Sequence, residues 1–204
     1  MRTSLLVIAA GAALGVASPS AAQLPPGVYA GEPNYQLAPA GSYAVDPDHA
    51  AVVAKVSHIG YSKSVFRFET VSGTLRWDPA NPSASALKVT VDTGSISTPV
   101  AGFAKQLAGP DYLKSAAFPQ ATFTATGFRQ VDATHGRVDG ALSLMGKTAP
   151  ISFDVTLVGA GKGFMGHPRI GVEATGQLRT ADYGLPPVLG TMVDVEVDAE
   201  FARK

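Results

Sequence analysis

The stretch from Val138 to Leu157, VDGALSLMGKTAPISFDVTL, constrains the fold more than any other part of the chain. Val138, Gly140, Leu142 and Leu144 alternate with Asp139, Ala141, Ser143 and Met145. Beyond Gly146-Lys147-Thr148-Ala149-Pro150 the alternation resumes, with Ile151, Phe153, Val155 and Leu157 set against Ser152, Asp154 and Thr156. Successive side chains of a strand point to opposite faces. A period of two across a Gly- and Pro-bounded turn therefore predicts a β-hairpin with one apolar face.

The same grammar recurs along the chain. Tyr43 to Asp46 reads as a short strand, broken by Asp46-Pro47-Asp48-His49. Val52, Ala54, Val56 and His58 share a face, opposite Val53, Lys55 and Ser57. Phe66 and Phe68 oppose Arg67 and Glu69, and Leu75 and Trp77 oppose Thr74 and Arg76. Leu87, Val89 and Val91 oppose Lys88, Thr90 and Asp92, and Phe123 stands among Thr122 and Thr124. Near the end, Ile170 to Leu178 and Val193 to Phe201 alternate with polar residues, the latter with Asp194, Glu196, Asp198 and Glu200.

The pattern breaks once. Phe103 and Leu107 are four apart within Ala101 to Ala108, which predicts a short helix stopped by Gly109-Pro110; Pro110 then suits the start of a second helix, Asp111 to Ser115. Roughly eight strands with one apolar face each, joined by short links, predict an all-β fold. An antiparallel up-and-down β-barrel with a short helical insertion fits best, because a parallel sheet needs helical crossovers.

The N-terminal segment sets the compartment. Arg2, the apolar run Leu5 to Val16, and Ser20-Ala21-Ala22 before Gln23 have the layout of a cleavable signal peptide over residues 1–22. The expected destination is the periplasm, and no later stretch is apolar enough to span a bilayer. Residues 23–41, QLPPGVYAGEPNYQLAPAG, read as a flexible Pro/Gly/Ala-rich leader, with docking of Tyr29 and Tyr35 as the alternative. The domain proper is expected over 42–204.

Lys+Arg equals Asp+Glu at 16 each, so there is no electrostatic case for nucleic acid. Cysteine is absent, which excludes disulfides and thiol chemistry. No HxH, HExxH or G-x-S-x-G spacing occurs, so no metal, cofactor or catalytic residue is assigned. His58 on the inward face reads as a core histidine or a ligand contact. Arg179, beside the turn RTADYG, reads as a surface ion-pair partner or as a contact to a polar head group at the barrel rim. The helical insertion either completes a solid core or lids a cavity.

The ordered segments YAVDPDHA (43–50), VSHIGYS (56–62), FRFETVSGTLRWDP (66–79), SAAFPQATFTAT (115–126), VDGALSLMGKTAPISFDV (138–155) and LRTADYGL (178–185) resemble the YceI-like family. These are exported bacterial proteins with a lipocalin-like barrel that bind polyisoprenoid or related amphiphilic lipids. Met145 and Tyr183 stand where the family pattern usually differs. The resemblance implies an apolar tunnel for an isoprenoid-tailed or other long-chain amphiphilic lipid, such as a quinone or a polyprenyl phosphate. Inward Val56, Phe66, Phe68, Leu75, Trp77, Val89, Val91, Phe123, Leu142, Leu144 and Phe153 would line it, and Phe103, Leu107 and Phe118 would close its mouth.

A carrier or store of such a lipid is the leading expectation. An enzyme acting on a hydrophobic substrate in the same barrel is the alternative, with His49, His58, Asp46 or Arg179 as acid–base candidates. A packed partner-binding module is a third reading. Pairing of two copies through an exposed strand edge would make a homodimer.

Overall fold

A computed structural model describes residues 24–163 and 165–204; the expected signal peptide lies outside them. Ten strands follow the alternation of the sequence: β1 (Gly41–His58), β2 (Ser62–Phe68), β3 (Val71–Trp77), β4 (Ala86–Asp92), β5 (Ile96–Ser97), β6 (Gln120–Gln130), β7 (His135–Leu144), β8 (Lys147–Gly161), β9 (Arg169–Arg179) and β10 (Met192–Arg203). All pairings are antiparallel.

The strands form eight staves of a closed barrel, as the pattern predicts. β1 is long enough to pair with β3 through Gly41–Ala44 and with β2 through Val52–His58. β2 and β3 therefore act as one stave interrupted at Glu69 and Thr70. β4 beside β3 and β5 beside β2 make the next. The ring closes where β1 pairs with β10 from Tyr43↔Arg203 to Lys55↔Asp194.

The opening hairpin is tighter than the sequence suggests. Leu144 pairs with Lys147, so the turn is only Met145-Gly146, and Pro150 sits within β8 opposite Ala141. Both turn residues have positive φ, 53° and 75°, the combination that matches the twist of a two-residue hairpin.

Two helical expectations change. One short helix forms, α1 (Phe103–Ala108), but Asp111 to Ser115 is a series of turns. There Leu113 N donates to Leu107 O and Ser115 N to Ala108 O. A second helix, α2 (Thr180–Tyr183), occupies the segment read as the turn RTADYG. It buries Tyr183 to 2% exposure, and this burial raises the phenol pKa.

The leader packs onto the barrel. Ala38 is fully buried, Tyr43 donates its hydroxyl to Pro39 O at 2.7 Å, and Glu32 forms an antiparallel bridge with Ala160 of β8. The Tyr35 ring meets Trp77 edge-on with centroids 6.1 Å apart, and Tyr29 is half exposed.

Candidate ligand-binding cavity

Inward side chains of every stave surround a cavity of about 340 Å³. That lies within the roughly 300–1,000 Å³ range of small-molecule sites. On β10 its wall runs from Val193 to Phe201, which at about 3.3 Å per residue and about 40° of tilt makes a tunnel on the order of 20 Å long. The walls are aliphatic and aromatic. Thr93 is an inward hydroxyl that is already satisfied, donating to Phe118 O at 2.8 Å.

Two connections seal one end. Leu107, Tyr112 and Leu113 come from α1 and the turns after it; Leu185 and Leu189 come from the segment after α2. Leu107 and Leu113 are buried. At the opposite end the lining changes character. Tyr35, Trp77 and Pro82 face the β6–β7 turn, which contributes Arg129, Gln130, Asp132, Thr134 and His135. Most of these turn residues are exposed, so the cavity reaches the surface here. The Trp77 Nε1 is buried without a partner among the described residues. Asp132 shapes the turn by accepting from the backbone N–H groups of Thr134 and His135, each at 2.8 Å. These bonds and the His135 ring hold its carboxyl down to about 2.

Glycines allow the aromatic wall to fold over. A Cβ on Gly140 would lie 2.4 Å from Cε2 and Cζ of Phe123, and one on Gly176 would lie 2.8 Å from Cδ1 of Phe153. The two rings cross the space these glycines leave and meet edge to face, with centroids 5.3 Å apart.

Of the residues expected at the site, Val56, Phe66, Phe68, Leu75, Trp77, Val89, Val91, Leu107, Phe123, Leu142, Leu144 and Phe153 line the cavity. Four do not. His58 is exposed at the last position of β1, because the inward alternation ends with Val56 and the chain leaves the wall into the turn at Ile59-Gly60. Arg179 is exposed at the end of β9 and points away from the lumen, whose neighbouring inward residue is Leu178. Phe103 and Phe118 pack behind the lining rather than in it; Phe103 stacks edge-on against Phe66 at 6.0 Å. The insertion thus closes the blind end, and the mouth lies opposite. The signal missed in the sequence is the polar turn Arg129–His135, whose short loop pattern carries no mark of its position.

The other acid–base candidates also lie outside the lumen. The Asp46–His49 segment is a bulge in β1, where the register with β10 shifts between Val45 and Ala50. Arg169 Nη1 donates to Asp46 Oδ2 at 2.5 Å and to Glu200 Oε2 at 2.7 Å, and His49 Nδ1 lies 3.1 Å from Asp46 Oδ2. The guanidinium holds the Asp46 carboxyl below its ordinary pKa. Asp46, His49 and Glu200 gather as metal ligands would, yet Arg169 already supplies the cation that binds their carboxylates. The cluster pins the bulge to two neighbouring strands.

Comparisons with known proteins agree with this geometry. Residues 43–201 match the YceI-like domain. Protein YceI of Escherichia coli O157:H7 is 36% identical over 170 residues, covering 81% of this chain and 88% of that protein. A UPF0312 protein of Vibrio vulnificus strain YJ016 is 37% identical over 204 residues, covering 97% and 98%. Among solved structures, Burkholderia cenocepacia BcnA superposes with a TM-score of 0.68 at 20% identity, covering 76% of this chain and 98% of that one. A polyisoprenoid binding domain from Saccharophagus degradans superposes with a TM-score of 0.60 at 18% identity, covering 79% and 98%. The barrel, its apolar lumen and the matched residues lead to one conclusion: the chain belongs to the YceI-like family.

Proposed function

We propose that this protein binds, and stores or carries, an isoprenoid-tailed or other long-chain amphiphilic lipid in the periplasm, acting as a carrier and not as an enzyme. A quinone and a polyprenyl phosphate both have the required form. The observation that carries this reading is the polarity gradient of the cavity: an apolar blind tunnel that ends in an exposed polar turn. An amphiphile fits it tail first, with its head among Trp77, Gln130, Thr134 and His135. Burial contributes about 0.8 kcal/mol per methylene, so on the order of 3–4 kcal/mol per five-carbon unit before the costs of association. Affinity then grows with tail length and needs few polar anchors.

The test is native mass spectrometry of protein purified from its own periplasm, followed by lipid extraction and identification. A stoichiometric lipid is expected. Ala54, which lines the tunnel opposite Val195, provides the matched variant: Ala54→Trp fills the lumen and should leave a folded, lipid-free barrel. Wild-type protein that carries no lipid and takes up none when offered isoprenoids would refute the proposal.

A further inference from the structure

Bulky apolar side chains are left in solvent at the mouth of the cavity, as Ile59 and Tyr61 are at the blind end. Val131 is 63% exposed at the tip of the β6–β7 turn and Met165 is 65% exposed in the β8–β9 connection. Val158, Tyr29 and Leu24 are exposed between and beside them. Backbone bonds join these segments into one rim: Leu157 N donates to Thr134 O at 2.7 Å, and Met165 N donates to Gly27 O at 2.7 Å.

Folding does not explain this rim. Met165 holds φ of 53° before Gly166 at 78°, a left-handed position where Asn, Asp or Gly is intrinsically preferred. A large apolar residue there is conformationally penalised, and Met165 leaves about two thirds of its surface in solvent.

The charges beside the rim are also unexplained by the fold. Arg129 stands directly across the ladder from Arg137, and like charges in that position repel. Arg137 is held by Asp139 and Asp154, whereas Arg129 forms no ion pair among the described residues. Lys162 is exposed too, 5.6 Å from the Tyr29 ring centroid. The acidic residue on the same turn, Asp132, is engaged by its own backbone and by His135.

From these observations we infer that the mouth rim docks on the surface of an anionic phospholipid bilayer. Val131, Met165 and Tyr29 enter the interface, and Arg129 and Lys162 meet lipid phosphates. The inference rests on the lipid-binding reading of the cavity, because docking would place the mouth where an amphiphile leaves or enters a membrane.

The experiment is co-sedimentation of the mature protein with vesicles of phosphatidylglycerol and phosphatidylethanolamine, against vesicles of phosphatidylcholine alone. Binding is expected to the anionic vesicles and should weaken as NaCl screens the charges. Arg129→Ser with Lys162→Ser should lower affinity about thirtyfold, from about fivefold per charge. Val131→Asp with Met165→Asp should abolish sedimentation, while Ile59→Asp, a more exposed site at the blind end, should leave it unchanged. Docking is refuted if wild type stays in the supernatant, if V131D/M165D binds as wild type does, or if I59D is lost equally. Loading with polyprenyl phosphate delivered from ethanol, without vesicles, separates the two proposals. The V131D/M165D variant should load normally. Wild type that loads but never sediments overturns docking alone, and wild type that sediments but never loads overturns the lipid-binding reading.

Discussion

Gly140→Ala adds a single methyl group to the wall, and the structure sets its cost. The new Cβ would lie 2.4 Å from two carbons of the Phe123 ring and 2.6 Å from the Thr124 carbonyl oxygen. The ring can swing, at the expense of its edge-to-face contact with Phe153, but the carbonyl belongs to the neighbouring strand and moves only with the ladder. Overpacking of this kind costs about 2–3 kcal/mol. Reduced freedom of the unfolded chain offsets about 0.5–1 kcal/mol of that. The net loss should be about 2 kcal/mol, or a fall in Tm of about 4–8 °C for a chain this long. The assay is urea and thermal unfolding followed by circular dichroism on delipidated protein, because bound ligand would shift the midpoint by mass action. Phe123→Leu removes the ring, so the double variant should recover about 1 kcal/mol relative to additivity, the carbonyl contact remaining. Strict additivity of the two changes, or a Gly140→Ala variant as stable as wild type, would refute the role assigned to this glycine.

Other substitutions probe different parts of the molecule. His58→Ala should leave lipid content and stability unchanged within about 0.5 kcal/mol, since an exposed strand-end residue contributes little; mass spectrometry and melting curves check both, and loss of ligand would return His58 to the site. Ile59 is a β-branched residue at φ 54° and 81% exposed, so Ile59→Asn should stabilise the β1–β2 turn by about 1 kcal/mol, read in urea unfolding. Arg169→Met leaves Asp46 and Glu200 without their cation and should cost about 2–3 kcal/mol. The same pair sets an acid limb. The folded pKa of Asp46 is depressed, so its contribution is fully present above the ordinary aspartate value of about 3.9 and is lost as pH falls through the lower folded value. Arg169→Met should flatten that part of the stability–pH curve, and an unchanged slope below pH 4 would remove Asp46 as its source.

Much of the architecture is written in local pattern. Period-two alternation marks each stave and decides which face turns inward, because a one-residue slip would carry the whole apolar set to solvent. That is why Val56, Phe123, Leu144 and Phe153 were legible as lining. The pattern fails at strand ends. His58 continues the arithmetic of Val52 and Val56, yet the wall stops before it. It fails also for short helices such as Thr180–Tyr183, which form because Tyr183 finds a buried site and not because four residues favour a helix.

The sequence by itself therefore determined an all-β chain of about eight apolar-faced strands with one helical insertion, and the resemblance of its segments to the YceI-like family. Only the tertiary structure decided which end of the barrel is blind. Phe103, Leu107 and Phe118 looked like a mouth because an apolar insertion beside a tunnel suits a lid. Closure of β1 on β10 places that insertion against Leu185 and Leu189 at one end and the polar β6–β7 turn at the other. The difference lies in contacts between residues tens of positions apart, which no local period encodes. Ring closure alone brings Trp77, Tyr35 and the Arg129–His135 turn around one opening.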